Sequence, residues 1–162
     1  MNIKEGYTYH LKDKFFKEVK DSKLMKNKEN GRYRPIYFAI RDTKNKDIIW
    51  MIPLSSKVTK YTQIRQNILK KYGKCSTIII DTYLGRQQVF LIQNAFPTLE
   101  KYISHEHKIQ GKPTPVHTTL QKDLEINLND TLVLYYRGFS LFYADVGKIY
   151  HYLEQKLNNQ RK

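Results

Sequence analysis

The sequence predicts an α+β chain: a small antiparallel sheet of short strands carrying helical insertions, completed by two packed helices toward the C-terminus. Three patterns lead there. Apolar runs of strand length come in pairs joined by polar links, 36–40 with 48–52 and 76–81 with 87–93, which is the grammar of hairpins. Around those pairs, apolar residues recur three and four apart, as on a buried helix face. From residue 118 the spacing is mainly helical to the end. No internal repeat, linker or low-complexity tract divides the 162 residues, so they read as one domain, 1–162, long enough to bury a core.

Residues 1–12 alternate at Tyr7, Tyr9 and Leu11, as in a short strand. A helix follows over 12–26, with Phe15, Phe16 and Val19 near one face and Asp13 as its cap. The stretch 20–34, rich in Lys and Asn, reads as a surface loop. In the first hairpin, Pro53 has no amide hydrogen for a ladder, so the second strand should stop there or reach a sheet edge. Leu54, Ser55, Ser56 and Lys57 are then delivered at a strand end. Residues 59–72 carry Tyr61, Ile64, Ile68 and Tyr72 at helical spacing, closed by Gly73 as a C-cap. The second hairpin has Gly85 in its turn. Closing such a sheet into a barrel would remove its edges.

Residues 98–105 read as a short helix, and 105–117 as a loop with two prolines and a glycine. His105-Glu106-His107 looks like a metal fragment but is too short to set both rings on one helical face, so it is assigned to that loop. Leu120, Leu124, Leu128, Leu132 and Tyr135 predict a long helix ending at Gly138, although 124–128 also alternates like a strand. Phe142, Val146, Ile149, Tyr150, Leu153 and Leu157 mark the terminal helix.

Composition narrows the partners. Lys and Arg number 29 against 15 Asp and Glu, a formal net charge of +14. Such an excess calls for a polyanion, and the lack of a long apolar run or a purely basic amphipathic face favours nucleic acid over a membrane surface. Thirteen Tyr and seven Phe offer flat surfaces on which unstacked bases can lie. Cys75 is the one cysteine, which excludes an internal disulfide and, with scattered histidines, a structural zinc site of ordinary spacing. With no apolar signal region in MNIKEGYTYH, the reading is of a soluble cytoplasmic protein.

Charge is also one-sided locally. Lys57, Lys60, Arg65, Lys70, Lys71 and Lys74 share the stretch 57–74 with no carboxylate, an arrangement whose like-charge repulsion is offset if it faces RNA. Arg32 and Tyr33, Lys60 and Tyr61, and Arg65, Lys70, Lys71 and Lys74 are therefore the candidate RNA contacts. Walker, dinucleotide-glycine, HExxH and GxSxG motifs are missing, and no Asp and Glu cluster suited to paired magnesium ions stands out. What remains is phosphate handling without a metal or other cofactor, for which RNA supplies its own nucleophile, the 2′-hydroxyl. In that chemistry Arg34 clamps the scissile phosphate, Ser55 and Ser56 hydrogen-bond its non-bridging oxygens and orient the 2′-hydroxyl, and Lys57 stabilises negative charge and feeds a proton to the leaving group. The same PLSSK stretch also reads as a turn or a helix N-cap, with Ser56 or Thr59 capping a helix from Lys60.

The run from Arg34 through PLSSK has a basic residue opening one strand and Pro-Leu-hydroxyl-hydroxyl closing the next. It resembles the toxins of type III toxin-antitoxin systems, the ToxN/AbiQ family with its CptN-like relatives. The hydrophobic strand running into Gln93-Asn94-Ala95-Phe96-Pro97-Thr98 is a second point of likeness. The resemblance implies a partly open antiparallel barrel of Kid and MazF type, with an SH3-like core. It implies a metal-independent endoribonuclease that leaves a 2′,3′-cyclic phosphate on cellular mRNA, at A-rich sites, and acts in phage defence. It also implies a pseudoknot antitoxin RNA, cut from a repetitive precursor by the toxin, that blocks the site and assembles with it into a closed ring. By position, the family's hydroxyl pair falls on Ser55 and Ser56, its following lysine on Lys57, and its opening basic residue on Arg34, where ToxN has lysine. Phe15 stands where ToxN has a tyrosine near its site. Two other readings fit the residues: a non-catalytic RNA-binding module in which PLSSK only caps a helix, and a DNA-binding regulator, for which no helix-turn-helix period is found.

Overall fold

The structure is a computed structural model that describes residues 2–25 and 35–161. The predicted contacts Arg32, Tyr33 and Arg34, and most of the polar stretch 20–34, lie outside the described residues. In chain order the elements are β1 (Thr8–Leu11), α1 (Asp13–Val19), β2 (Tyr37–Arg41), β3 (Ile48–Ser55), α2 (Val58–Tyr72), β4 (Ile78–Tyr83), β5 (Arg86–Leu91), β6 (Phe96–Leu99), β7 (Ile103–Glu106), β8 (Lys108–Ile109), β9 (Lys112–Pro113), α3 (Thr118–Tyr136) and α4 (Val146–Gln160). Short 3-10 turns at Ile92–Asn94 and Glu100–Tyr102 flank β6.

The sheet is antiparallel and runs β4-β5-β3-β2-β1-β7, with β6 also beside β3. It is not closed into a barrel: β4 and β7 end it without a shared ladder among the described residues. Side chains and the segment before α3 bridge the gap instead. The Tyr83 hydroxyl on β4 lies 2.9 Å from Thr8 Oγ1 on β1 and donates to Thr114 O at 2.7 Å, while Val116 N donates to Gly6 O at 2.7 Å. The α+β class holds, and the expected partly open barrel gives way to an open sheet.

β3 organises the sheet, and it runs straight through Pro53 rather than stopping there. Leu54 N donates to Ile36 O and Ile48 O accepts from Asp42 N, so the even positions face β2 and Pro53 faces the other edge. On that edge β6 pairs up to Met51 and β5 begins at Leu54. Pro53 thus falls at the junction between two partners, where the ladder needs no donor.

Other expectations are corrected by partners distant in the chain. Residues 98–105 are not a helix, because Phe96–Leu99 pairs with β3 and Ile103–Glu106 with β1. α1 ends at Val19, with Lys20 in the left-handed region at φ 54, and Asp13 is its first residue rather than its cap. Phe15 is fully buried, with its ring stacked on Phe96 and edge-on to Tyr102, and is a core residue. α4 packs on β6 and α3 on the turn at Ile92–Asn94, and the two helices meet where Gly147 N donates to the Tyr135 hydroxyl at 3.1 Å.

His105-Glu106-His107 is not a loop either. His105 and Glu106 pair with His10 and Tyr9 of β1. His105 stacks on His10 with ring centroids 4.6 Å apart, and His107 Nδ1 shares a 2.9 Å hydrogen bond with His10 Nε2. Burial, with the neighbouring His105, holds the His107 imidazole below its ordinary range. The fold therefore favours the neutral ring, and below about pH 6.5 the unfolded chain takes up a proton that the folded chain resists. Stability should fall as pH drops through that value. His107→Gln is expected to flatten the thermal-melting profile between about pH 7 and 5; an unchanged slope would assign the acid sensitivity to other groups.

Candidate active site and nucleic-acid interface

Ser55, Ser56 and Lys57 form the short link between the end of β3 and the start of α2. Ser55 closes β3 opposite Val89 of β5 and is half-buried, while Ser56 and Lys57 are exposed. Lys57 N donates to Ser55 Oγ at 3.2 Å, and Val58 N donates to Ser56 O at 2.9 Å. The backbone thus turns tightly, and the Ser55 hydroxyl keeps its own proton to donate.

The reading of PLSSK as a helix cap is corrected here. Lys57 holds the N-cap position of α2 with no side-chain cap, and no acidic residue occupies the first turn. Val58 N is taken by Ser56 O, and the other leading N–H groups of this 15-residue helix, next in the chain to the two serines and Lys57, have no side-chain cap. A helix start that no side chain caps and no first-turn acid neutralises favours an oxyanion. At the far end Gly73, in the left-handed region at φ 79, donates to Leu69 O and stops the helix as expected.

α2 also sorts its other predicted contacts. Tyr61, Ile64 and Ile68 pack against the small cluster of Ile78, Val89 and Leu91, and Arg65 Nε donates to Ile78 O at 3.2 Å, which ties that guanidinium to the sheet. Lys60, Lys70, Lys71 and Lys74 are exposed. Lys60 and Lys71, eleven residues apart, share one flank of the helix. Lys60 Nζ lies over the Tyr61 ring and Lys71 Nζ over the Tyr72 ring, each 5.2 Å from the centroid.

One neighbour escaped the sequence reading. Burial raises the Tyr61 phenol above its ordinary range, the Lys57 ammonium lowers it and Tyr143 raises it. Tyr143, which is 55% exposed, therefore lies within electrostatic range of Tyr61, near the start of α2. The signal was present in GFSLFY, an aromatic-rich stretch between two helices. Among the described residues, no group of three or more His, Cys, Asp or Glu is placed to hold a metal ion, and no helix is long and apolar enough to cross a membrane. Arg34 is outside the described chain, which resumes at Pro35 and brings Ile36 O to Leu54 N at 3.0 Å.

No protein-family model matches the chain, and no curated protein matches it by sequence. Among solved structures it is similar to AbiQ, a lactococcal anti-phage endoribonuclease belonging to the type III toxin-antitoxin system. The TM-score is 0.61 at 18% identity, and the match covers 93% of this chain and 98% of AbiQ's. Over nearly its whole length, then, this chain carries the fold of AbiQ.

Proposed function

We infer that the protein is the cytoplasmic toxin of a type III toxin-antitoxin system, acting as one domain. It is an endoribonuclease that cuts single-stranded RNA without a metal, by attack of a 2′-hydroxyl on the adjacent phosphate. The observation that carries this reading is the link of Ser55, Ser56 and Lys57 ahead of an uncapped α2, on a fold like that of AbiQ. The serine hydroxyls and leading α2 amides take the non-bridging oxygens, which gain negative charge as the phosphorane forms. Lys57 neutralises that charge and hands a proton to the departing 5′ oxygen, and Arg34, which precedes β2 in the chain, clamps the phosphate. The 2′-hydroxyl gives its proton to water as its oxygen bonds to phosphorus, the P–O5′ bond breaks and the 5′ oxygen takes the Lys57 proton, so the products are a 2′,3′-cyclic phosphate and a 5′-hydroxyl.

The same interface would hold a pseudoknot antitoxin RNA, cut by the toxin from a repetitive precursor and left blocking the site in a closed ring of toxin and RNA. Cellular mRNA, cut at A-rich sites, is the target when that RNA is lost, as on phage infection. Mass spectrometry of RNA fragments made by the purified chain in EDTA tests the chemistry. Cyclic phosphate ends are expected, and intact RNA would leave only the non-catalytic RNA-binding module. With phosphates on Lys57, Lys60, Lys71 and Lys74, affinity for an uncleavable RNA should fall with a log–log salt slope of about −3. A flat salt profile would turn the basic flank of α2 away from RNA.

A further inference from the structure

At the C-terminal end of α2 an open groove of about 470 Å³ lies among Ile68, Tyr72, Lys74, Leu134, Phe139 and Leu141. That volume falls in the range of sites that take small planar ligands. Tyr72 is 66% exposed and Phe139 57% exposed, and none of the described residues lining the groove is acidic. Rings left open to water in this way mark a binding surface more often than a defect. The position of Phe139 is built in: Gly138, at φ 98, lets the chain leave α3, and Phe139 N donates to Leu134 O at 3.1 Å. From there Phe139 and Leu141 line the groove beside Ile68 and Tyr72, and Tyr143 lies within electrostatic range of Tyr61.

The groove and the serine link thus sit at opposite ends of one helix, about 20 Å apart at a rise of roughly 1.5 Å per residue. Between them runs the flank of Lys60 and Lys71, and the whole of 57–74 lacks a carboxylate. Those charges select the occupant. A second copy of a chain with a net charge of +14 would be repelled, whereas a single-stranded polyanion brings phosphates for the lysines and flat bases for the rings.

We propose that this groove holds an unpaired base of the RNA, stacked against Tyr72 and Phe139, while the strand runs along the Lys60 and Lys71 flank to the phosphate at Ser55 and Ser56. The inference rests on the ribonuclease reading and adds a second grip, several nucleotides from the cut. A base held there sets the register of the strand over the serines, so the protein reads a base it does not cleave beside.

The test uses a fluorescent RNA of about a dozen nucleotides, near the upper size of single-strand sites, with every 2′-hydroxyl methylated so that it cannot be cut. The variant Tyr72→Ala with Phe139→Ala should bind it about tenfold more weakly or worse. The aromatic pair Tyr72→Phe with Phe139→Tyr should restore binding, which separates loss of stacking from loss of fold. With 4-thiouridine placed at successive positions, crosslinks to Tyr72 or Phe139 should come from one position and its neighbours. Equal affinity of the alanine pair, failure of the aromatic pair to restore it, or crosslinks only elsewhere would overturn the proposal. So would dimers of the wild-type chain that form without RNA and vanish in the alanine pair. If wild-type protein binds through the groove but leaves ordinary RNA intact, the nuclease reading falls and the base groove stands. If it cleaves RNA while the alanine pair binds as well as wild type, the groove alone falls.

Discussion

Replacing Ser55 and Ser56 together by alanine should slow RNA cleavage by about two to three powers of ten, the usual effect of removing a positioned oxyanion donor. Both side chains sit where β3 hands over to α2, and neither belongs to the core. The Ser55 hydroxyl accepts from Lys57 N and so retains its proton for an incoming phosphate oxygen. Alanine removes that donor and loosens the turn that aims Lys57. The double loss should fall short of the product of the single ones, because the two hydroxyls and the α2 amides serve one anion. Affinity for uncleavable RNA should change by less than about tenfold, since the lysine flank of α2 supplies the phosphate contacts. The check is single-turnover cleavage beside binding on the same preparation, together with growth of bacteria expressing each form. A harmless wild-type chain, or variants that cut RNA at the wild-type rate, would move the chemistry away from this link.

What the sequence disclosed follows from how local each signal is. Tyr61, Ile64 and Ile68 with Gly73 told of α2 to within a residue at either end, because period and stop signal both lie inside the segment. Leu120, Leu124 and Leu128 likewise marked α3, which starts at Thr118 and ends at Tyr136, two residues before Gly138. The second hairpin was readable from its turn, where Leu84 and Gly85 both take positive φ, 56 and 78, as a two-residue link between twisted strands requires.

Where a partner elsewhere decides the outcome, local pattern failed. Phe96–Leu99 is a strand because β3 lies beside it, and no periodicity inside 98–105 reports that. Pro53 sits within a strand because two other strands happen to meet opposite it. At the candidate site, Ser55, Ser56 and Lys57 were found by residue type and by their place after a strand, and the alternative in which Ser56 or Thr59 caps α2 fell to the uncapped start of that helix. Tyr72 and Phe139 come together only through tertiary packing, so the groove they line had no sequence spacing to betray it.

Removing the Asp42 carboxylate should destabilise the fold by about 3–5 kcal/mol, since hydrogen bonds to a charged group contribute about 1.5–3 kcal/mol each and their buried donors would be left unsatisfied. That is a large share of the stability of an ordinary domain. Asp42 is buried at the start of the first hairpin turn. Its Oδ1 accepts from Trp50 Nε1 at 2.9 Å, and its Oδ2 from the Tyr150 hydroxyl at 2.7 Å and from Asn45 N at 2.9 Å. One side chain therefore ties the turn, β3 and α4, beside the stack of Trp50 on Phe142 at 6.0 Å. Asp42→Ala should lower the urea midpoint sharply and speed amide exchange in α4, whereas Tyr150→Phe, which removes one donor and strands nothing, should cost less. The pair forms a double-mutant cycle whose coupling should be favourable. Burial and then the bond to Asp42 hold the Tyr150 phenol well above its ordinary range. The folded chain keeps that proton while the unfolded chain releases it, so stability should fall as pH rises past about 10, and less steeply in Asp42→Ala. A variant that melts like wild type would mean that the Asp42 bonds add little to the hold of the apolar face of α4, through Val146, Ile149 and Leu153.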